Sequence, residues 1–132
     1  MKTNKFELIK KSKNIVVKIG TSILTEIKNG YPQITDKNIS AIIKSMSKHF
    51  GIRNFTIVSS GAVGFGMSVL NMKTKPKDLS LKQAAAAVGQ NKLMQMYENL
   101  FSKYNKIIAQ VLLTQPGMMD RQQYLNAINT LN

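Results

Sequence analysis

Residues 57–66, Ile-Val-Ser-Ser-Gly-Ala-Val-Gly-Phe-Gly, decide how this chain is read. The apolar, β-branched run from Phe55 to Ser59 predicts a buried strand. It passes without a spacer into Gly61, Gly64 and Gly66, and a helix is predicted to follow towards Leu70. A second strand end of the same kind lies upstream. Ile15-Val16-Val17-Lys18-Ile19 predicts a short buried strand that stops at Gly20, followed by Thr21 and Ser22. Strands that feed directly into helices are the unit of a parallel α/β sheet.

The segments around these two stretches support that class. Between Ile23 and Ile34, Asn29-Gly30 predicts a hairpin, because this pair accepts positive φ at both turn positions. Thr35 or Asp36 is suited to cap a helix whose stripe is Ile39, Ile42, Ile43, Met46 and Phe50, with Gly51 ending it. Lys73 to Asp78 reads as a polar loop, and Ser80 as the cap of a long helix from Leu81 to about Tyr104. Leu93, Met96, Tyr97, Leu100 and Tyr104 share one face of that helix. Gly89 inside it costs about 1 kcal/mol relative to Ala, which points to close packing or a backbone role. Ile107 to Leu113 predicts a third buried strand, and Asp120 the cap of a last helix bearing Tyr124, Leu125, Ile128 and Leu131. Three core strands and a hairpin leave sheet edges open, and the last helix has an unpartnered stripe, so the expectation is an incomplete domain.

The 132 residues suit one domain or part of one, and 43% of them are apolar, enough for a core. There is no cysteine, which excludes a disulfide framework and a thiolate metal site and agrees with a reducing cytoplasm. The longest apolar runs, such as Ala84 to Val88, are too short to span a bilayer. The basic start, MKTNKFELIKKSKN, lacks the apolar stretch and cleavage site of a signal peptide. Net charge is +13, from 19 basic and 6 acidic residues. All the basic residues except Arg53 and Arg121 are lysines, spread along the chain without interleaved aromatic residues. That favours a solvated lysine-rich surface over a nucleic-acid face. A basic nucleic-acid-binding module is nevertheless the alternative that charge alone suggests, and a non-catalytic self-associating protein the one that open edges suggest.

Ligands of open α/β sheets bind at the carboxyl ends of the strands, where both loops fall. Gly20 permits close backbone approach, and the amides and hydroxyls of Thr21 and Ser22 could cradle a phosphate with Lys18 as a point charge. Spacing alone equally allows Lys18 on a polar face and Gly20 as a plain strand end. In the second loop, three glycines would let helix-start amides point at an anion, with Ser59 and Ser60 adding hydroxyls. Plain strand-to-helix punctuation is the alternative. Neither loop is a Walker sequence or a nucleophile elbow. His49 falls late in a helix, where a surface or helix-end role fits better than catalysis. Glu7, Glu26, Asp36, Asp78, Glu98 and Asp120 are scattered and give no metal pattern, and the helical methionines fall on core positions.

At these residues the chain resembles the amino acid kinase family, and within it the members that phosphorylate glutamate. The resemblance runs from Ile15 onward through VVKIGTSILT, VSSGAVGFGM, LKQAAAAVGQNKLMQMYENLF, AQVLLT and DRQQYLNAINTL. It implies a three-layer α/β/α sandwich on a parallel sheet, here incomplete. It further implies ATP-dependent phosphorylation of the L-glutamate side-chain carboxylate to glutamyl 5-phosphate, a step of proline biosynthesis, with ATP and Mg2+ as cofactors. By the resemblance Lys18 is catalytic and contacts ATP phosphates, Gly20, Thr21 and Ser22 line the same loop, and Ser60, Gly61 and Ala62 bind glutamate. No metal ligand is assigned. The intact enzyme is expected to be a cytoplasmic homo-oligomer without a membrane or nucleic-acid partner. Residues 1–132 correspond to the N-terminal, glutamate-binding half of the domain. The ATP-binding half, its second catalytic lysine and an RNA-binding-like C-terminal module have no counterpart in them. One local departure is that Pro116 and Gly117 stand where the family is often richer in acids. The 132-residue chain alone is therefore expected to be inactive. Incubated with ATP, Mg2+, L-glutamate and hydroxylamine it should form no glutamyl hydroxamate above background, and substrate-dependent hydroxamate would overturn this.

Overall fold

The structure is a computed structural model that describes residues 5–131; the first four residues of the basic start and Asn132 lie outside it. In chain order the elements are α1 (Lys5–Lys11), β1 (Asn14–Ile19), α2 (Thr21–Leu24), β2 (Thr25–Lys28), β3 (Tyr31–Ile34), α3 (Lys37–Ser47), β4 (Asn54–Ser59), α4 (Ala62–Val69), α5 (Leu79–Ser102), α6 (Gln115–Met119) and α7 (Arg121–Leu131). β1 and β4 pair in parallel, from Asn14 opposite Asn54 to Ile19 opposite Ser59. The carboxamides of Asn14 and Asn54 hydrogen-bond at 2.9 Å where the pair begins. Strand alternation sends Ile15, Val17 and Ile19 to the same side as Phe55 and Ile57. There Val17, Ile19, Phe55 and Ile57 join Ile39, Ile43 and Met46 of α3, Phe65 of α4, and Leu93, Tyr97, Leu100 and Phe101 of α5 in one core. The opposite side carries Val16 and Val58, which are 68% and 51% exposed.

The hairpin forms as its turn pair predicts. β2 and β3 are antiparallel, and Asn29 and Gly30 have φ of 53° and 78°. Gly89 has a packing role. A Cβ on it would lie 1.9 Å from the Ala62 carbonyl oxygen and 2.3 Å from the Gly66 nitrogen. A Cβ on Gly66 would lie 1.8 Å from the Ala85 carbonyl oxygen. The backbones of α4 and α5 therefore touch, which only glycine at both positions allows.

Three expectations change, and one element was not foreseen. The helix expected to carry Phe50 and end at Gly51 stops at Ser47, and Phe50 lies beyond it in an isolated bridge with Arg53. The third strand over Ile107–Leu113 does not form among the described residues: the segment has no ladder partner, Ile107 is 100% exposed, and Leu112 and Leu113 are exposed. Ile108 still packs on the core. Apolar, β-prone composition makes a strand only where neighbouring backbone and a covering layer take up both its edges and faces. The long helix starts at Leu79 rather than Leu81, because Asp78 is its cap: Asp78 Oδ1 accepts from the Leu81 amide at 2.8 Å. The basic stretch before β1 contains a helix, α1, whose last carbonyls are held by Arg53, with guanidinium bonds of 3.2 Å to Ile9 O and 3.0 Å to Lys10 O. Asp120 does cap α7, its Oδ1 accepting from the Gln123 amide at 2.8 Å.

The helix crossing generates a test. Gly66→Ala or Gly89→Ala forces backbone apart and should destabilise the fold by about 3 kcal/mol, the upper end of the usual overpacking cost. Gly20→Ala, where a Cβ meets nothing within 4 Å, should be near neutral. Urea melts of the three variants check this contrast, and similar midpoints for all three would contradict it.

Candidate active site

Parallel pairing of neighbouring strands dictates the site's location, because it delivers both carboxyl ends to one edge. β1 ends at Ile19 and turns through Gly20 into the single-turn α2, while β4 ends at Ser59 and turns through Ser60 and Gly61 into α4. The Ser60 amide donates to the Ile19 carbonyl at 3.0 Å, carrying the pairing one residue past the ladder. The Ser60 hydroxyl donates to the same carbonyl at 3.1 Å, and the Thr21 hydroxyl donates to Ser60 Oγ at 3.3 Å. The two loops are thus joined through Thr21, Ser60 and Ile19.

Gly61 has φ of 115°, a left-handed conformation that turns the chain from Ser60 into α4. A Cβ there would also sit 3.4 Å from Leu24 Cδ1. No N-cap side chain bonds the first turn of α4, so its amides stay available to an anion. The other two glycines of the motif do something else. A Cβ on Gly64 would lie 3.2 Å from Thr21 Cγ2 and 3.3 Å from Thr25 Cγ2, so Gly64 lets α4 close on the first loop, and Gly66 serves the crossing with α5. The expectation that all three glycines aim amides at a ligand therefore narrows to the turn at Gly61.

Thr21, Ser60 and Gly61 come together, with Gly20 open beside them and Ala62 starting α4. The Ala62 carbonyl is covered by Gly89. Ser22 is exposed. Lys18 lies on the exposed side of β1, opposite Val58 and two residues before Gly20, apart from the hydroxyl cluster as strand alternation requires. Sequence reasoning placed Tyr97 only among apolar positions. The residue is 5% exposed, but its hydroxyl lies 2.8 Å from Ser59 Oγ, and Ser59 Oγ donates to the Ser60 carbonyl at 3.1 Å. The available signal was Ser59 itself, a hydroxyl where the alternation of Phe55 and Ile57 calls for an apolar side chain. Burial pushes the Tyr97 phenol pKa up.

Two hydroxyl-bearing loops latched side by side at the carboxyl ends of parallel strands, one of them opening a helix, lie where open α/β sheets bind their ligands. The sequence profile of the Amino acid kinase family matches residues 13–132, and the chain belongs to that family. Membership of a kinase family implies use of a nucleotide. Among curated relatives, the glutamate 5-kinase of Cyanothece sp. (strain PCC 7425 / ATCC 29141) is 46% identical over 121 residues, 90% of this chain and 32% of the relative. That of Clostridium tetani (strain Massachusetts / E88) is 43% identical over 133 aligned positions, 100% of this chain and 49% of the relative. That of Moorella thermoacetica (strain ATCC 39073 / JCM 9320) is 43% identical over 124 residues, 93% of this chain and 32% of the relative. The chain thus spans about a third to a half of the length of these relatives. No helix among the described residues is long and apolar enough to cross a membrane.

The raised Tyr97 pKa has a testable sign. The folded chain keeps the phenol proton to higher pH than the unfolded chain does. Its contribution is intact below the ordinary tyrosine value of 10.0 and is lost as pH rises through and above it. In urea midpoints measured against pH, Tyr97→Phe should therefore show a shallower alkaline limb than wild type. Identical limbs would mean that the phenol titrates as an exposed one.

Proposed function

We propose that this chain is the glutamate-binding, N-terminal half of a glutamate 5-kinase domain, an enzyme that transfers a phosphoryl group from ATP to the side-chain carboxylate of L-glutamate. The carrying observation is the Thr21–Ser60 hydroxyl contact, which fixes a phosphate-type loop against a carboxylate-type loop at one sheet edge. The relatives' names support the choice of reaction.

In this reading the Ser60 hydroxyl and the amides of Gly61 and Ala62 hold the glutamate side-chain carboxylate at the positive end of α4. The amides and hydroxyls after Gly20, with Lys18 as compensating charge, hold the phosphates of ATP. Gly20 fits that task, since its backbone is open to 4 Å around a Cβ position. A carboxylate oxygen of glutamate forms a bond to the terminal phosphorus of ATP, the bond from that phosphorus to the ADP oxygen breaks, and the products are glutamyl 5-phosphate and ADP. Both reactants are anionic, so positioning and charge neutralisation are what this chain's residues supply. No group of three His, Asp or Glu side chains comes together among the described residues. In this reading Mg2+ would be carried with the nucleotide phosphates. A cytoplasmic homo-oligomer belongs to the same reading.

The test joins this chain to the part of the Clostridium tetani relative that lies beyond the match, and follows hydroxamate formation. The chimera should turn over. Lys18→Ala should lower kcat by about 10²-fold, the scale for loss of a preorganised charge contact. Ser60→Ala should raise KM for glutamate more than for ATP. A folded but inactive chimera, or equal effects of both variants on ATP alone, would refute the assignment.

A further inference from the structure

Behind the carboxylate loop lies a run of hydroxyls that the reading above does not use. Ser59 has one proton, and it goes to the Ser60 carbonyl at 3.1 Å. The 2.8 Å contact with Tyr97 is therefore a bond donated by the phenol. A phenol, whose ordinary value of 10.0 is raised further here by burial, is protonated at physiological pH and can donate. The direction of the run is then set: Tyr97 O–H to Ser59 Oγ, Ser59 O–H to Ser60 C=O.

The consequence lies in the next peptide group. There are no cis peptides in the described chain, and in a trans peptide the carbonyl and the following N–H point in opposite directions. Holding the Ser60 carbonyl towards Ser59 turns the Gly61 N–H away from it. That N–H finds no backbone acceptor among the described residues. It sits at the turn before α4, where φ of 115° leaves the peptide without the usual steric restraint of a side chain. With steric restraint relaxed at this turn, the bond from the Ser59 hydroxyl to the Ser60 carbonyl is an interaction that can orient this peptide. Tyr97 is also well placed to be a fixed anchor. It is the hydroxyl-bearing member of the buried core cluster, and its ring is held by α5, which the Gly66 and Gly89 contacts clamp to α4.

We propose that Tyr97 is a positioning residue: through Ser59 it orients the Ser60–Gly61 peptide so that the Gly61 N–H faces a substrate carboxylate. The proposal rests on the assignment of this loop to glutamate. Tyr97 touches no reacting atom, and its effect passes entirely through Ser59.

The test uses the 132-residue chain, wild type, Tyr97→Phe, Ser59→Ala and the double variant, with amide resonances followed by NMR and L-glutamate as the titrated probe. Tyr97→Phe keeps the ring and removes the donor, while Ser59→Ala breaks the run without touching the core. Each single variant should shift the Gly61 amide resonance locally and weaken glutamate binding about tenfold, and the double variant should add nothing further. A loss of packing alone would instead move resonances throughout the core and add to the Ser59→Ala effect. An unmoved Gly61 amide in Tyr97→Phe, or additive effects of the two changes, overturns the proposal whatever glutamate does. If the Gly61 amide responds as expected but the wild-type chain takes up no glutamate, the orienting role stands and the glutamate assignment fails.

Discussion

The contact on which this structure depends is backbone against backbone, where α4 crosses α5. Gly66 meets Ala85 and Gly89 meets Ala62 at distances that exclude any side chain. Helices usually keep 8–10 Å between axes because side chains intervene, and removing them lets the two axes approach more closely. The approach sets where α4 starts, and α4 starts at the site. It also puts Tyr97, two turns along α5 from Gly89, beneath the end of β4. The run of alanines from Ala84 to Ala87 thus belongs to the same device, with Ala85 buried in the contact.

The site follows from that clamp and from one parallel strand pair. Pairing β1 with β4 in register carries Gly20 and Ser60 to the same edge, and the hydroxyls of Thr21 and Ser60 then bond across the gap. Gly61 supplies the turn and Gly64 the room for Thr21 and Thr25. Four nearby residues of one motif therefore have four different physical jobs, which are a hydroxyl, a turn, a clearance and a helix contact. Lysine-rich charge has little part in this geometry. The ion pairs among the described residues, Lys10–Glu7 and Lys28–Glu26, are both exposed and neither joins the two loops, and pairs of that kind contribute about 1 kcal/mol or less.

Much of this was legible in the chain itself because it is local. The Asn29-Gly30 turn, the stripe of α3 from Ile39 to Met46, the β1 and β4 strands, and the Asp120 cap all depend on a few adjacent residues, and each is present. The two loops that hold the candidate site residues could be marked for the same reason, as could the close packing of Gly89. Where sequence reasoning failed, the deciding partner was remote. Ile107–Leu113 has strand composition, but a strand is made by its neighbour, and none is supplied to it. Asp78 displaced Ser80 as cap through a choice between two competent side chains, and it is the Asp78 carboxylate that accepts the Leu81 amide.

What the sequence by itself determined is therefore the α/β class, the two glycine-bounded strand ends and the residue types gathered there. Backbone conformational preference, alternation and helical periodicity act over short separations, and a reader can apply them without coordinates. Only the tertiary structure decided that Thr21 and Ser60 share a hydrogen bond, that Gly64 and Gly66 are clearances rather than ligand contacts, and that the Tyr97 phenol reaches Ser59. These are contacts between residues 38 and 39 positions apart, or between two helices, and no local rule sets their distance. It is set by the pairing of β1 with β4 and by how closely α4 and α5 can approach, the latter resting on two glycines that have no side chain to read.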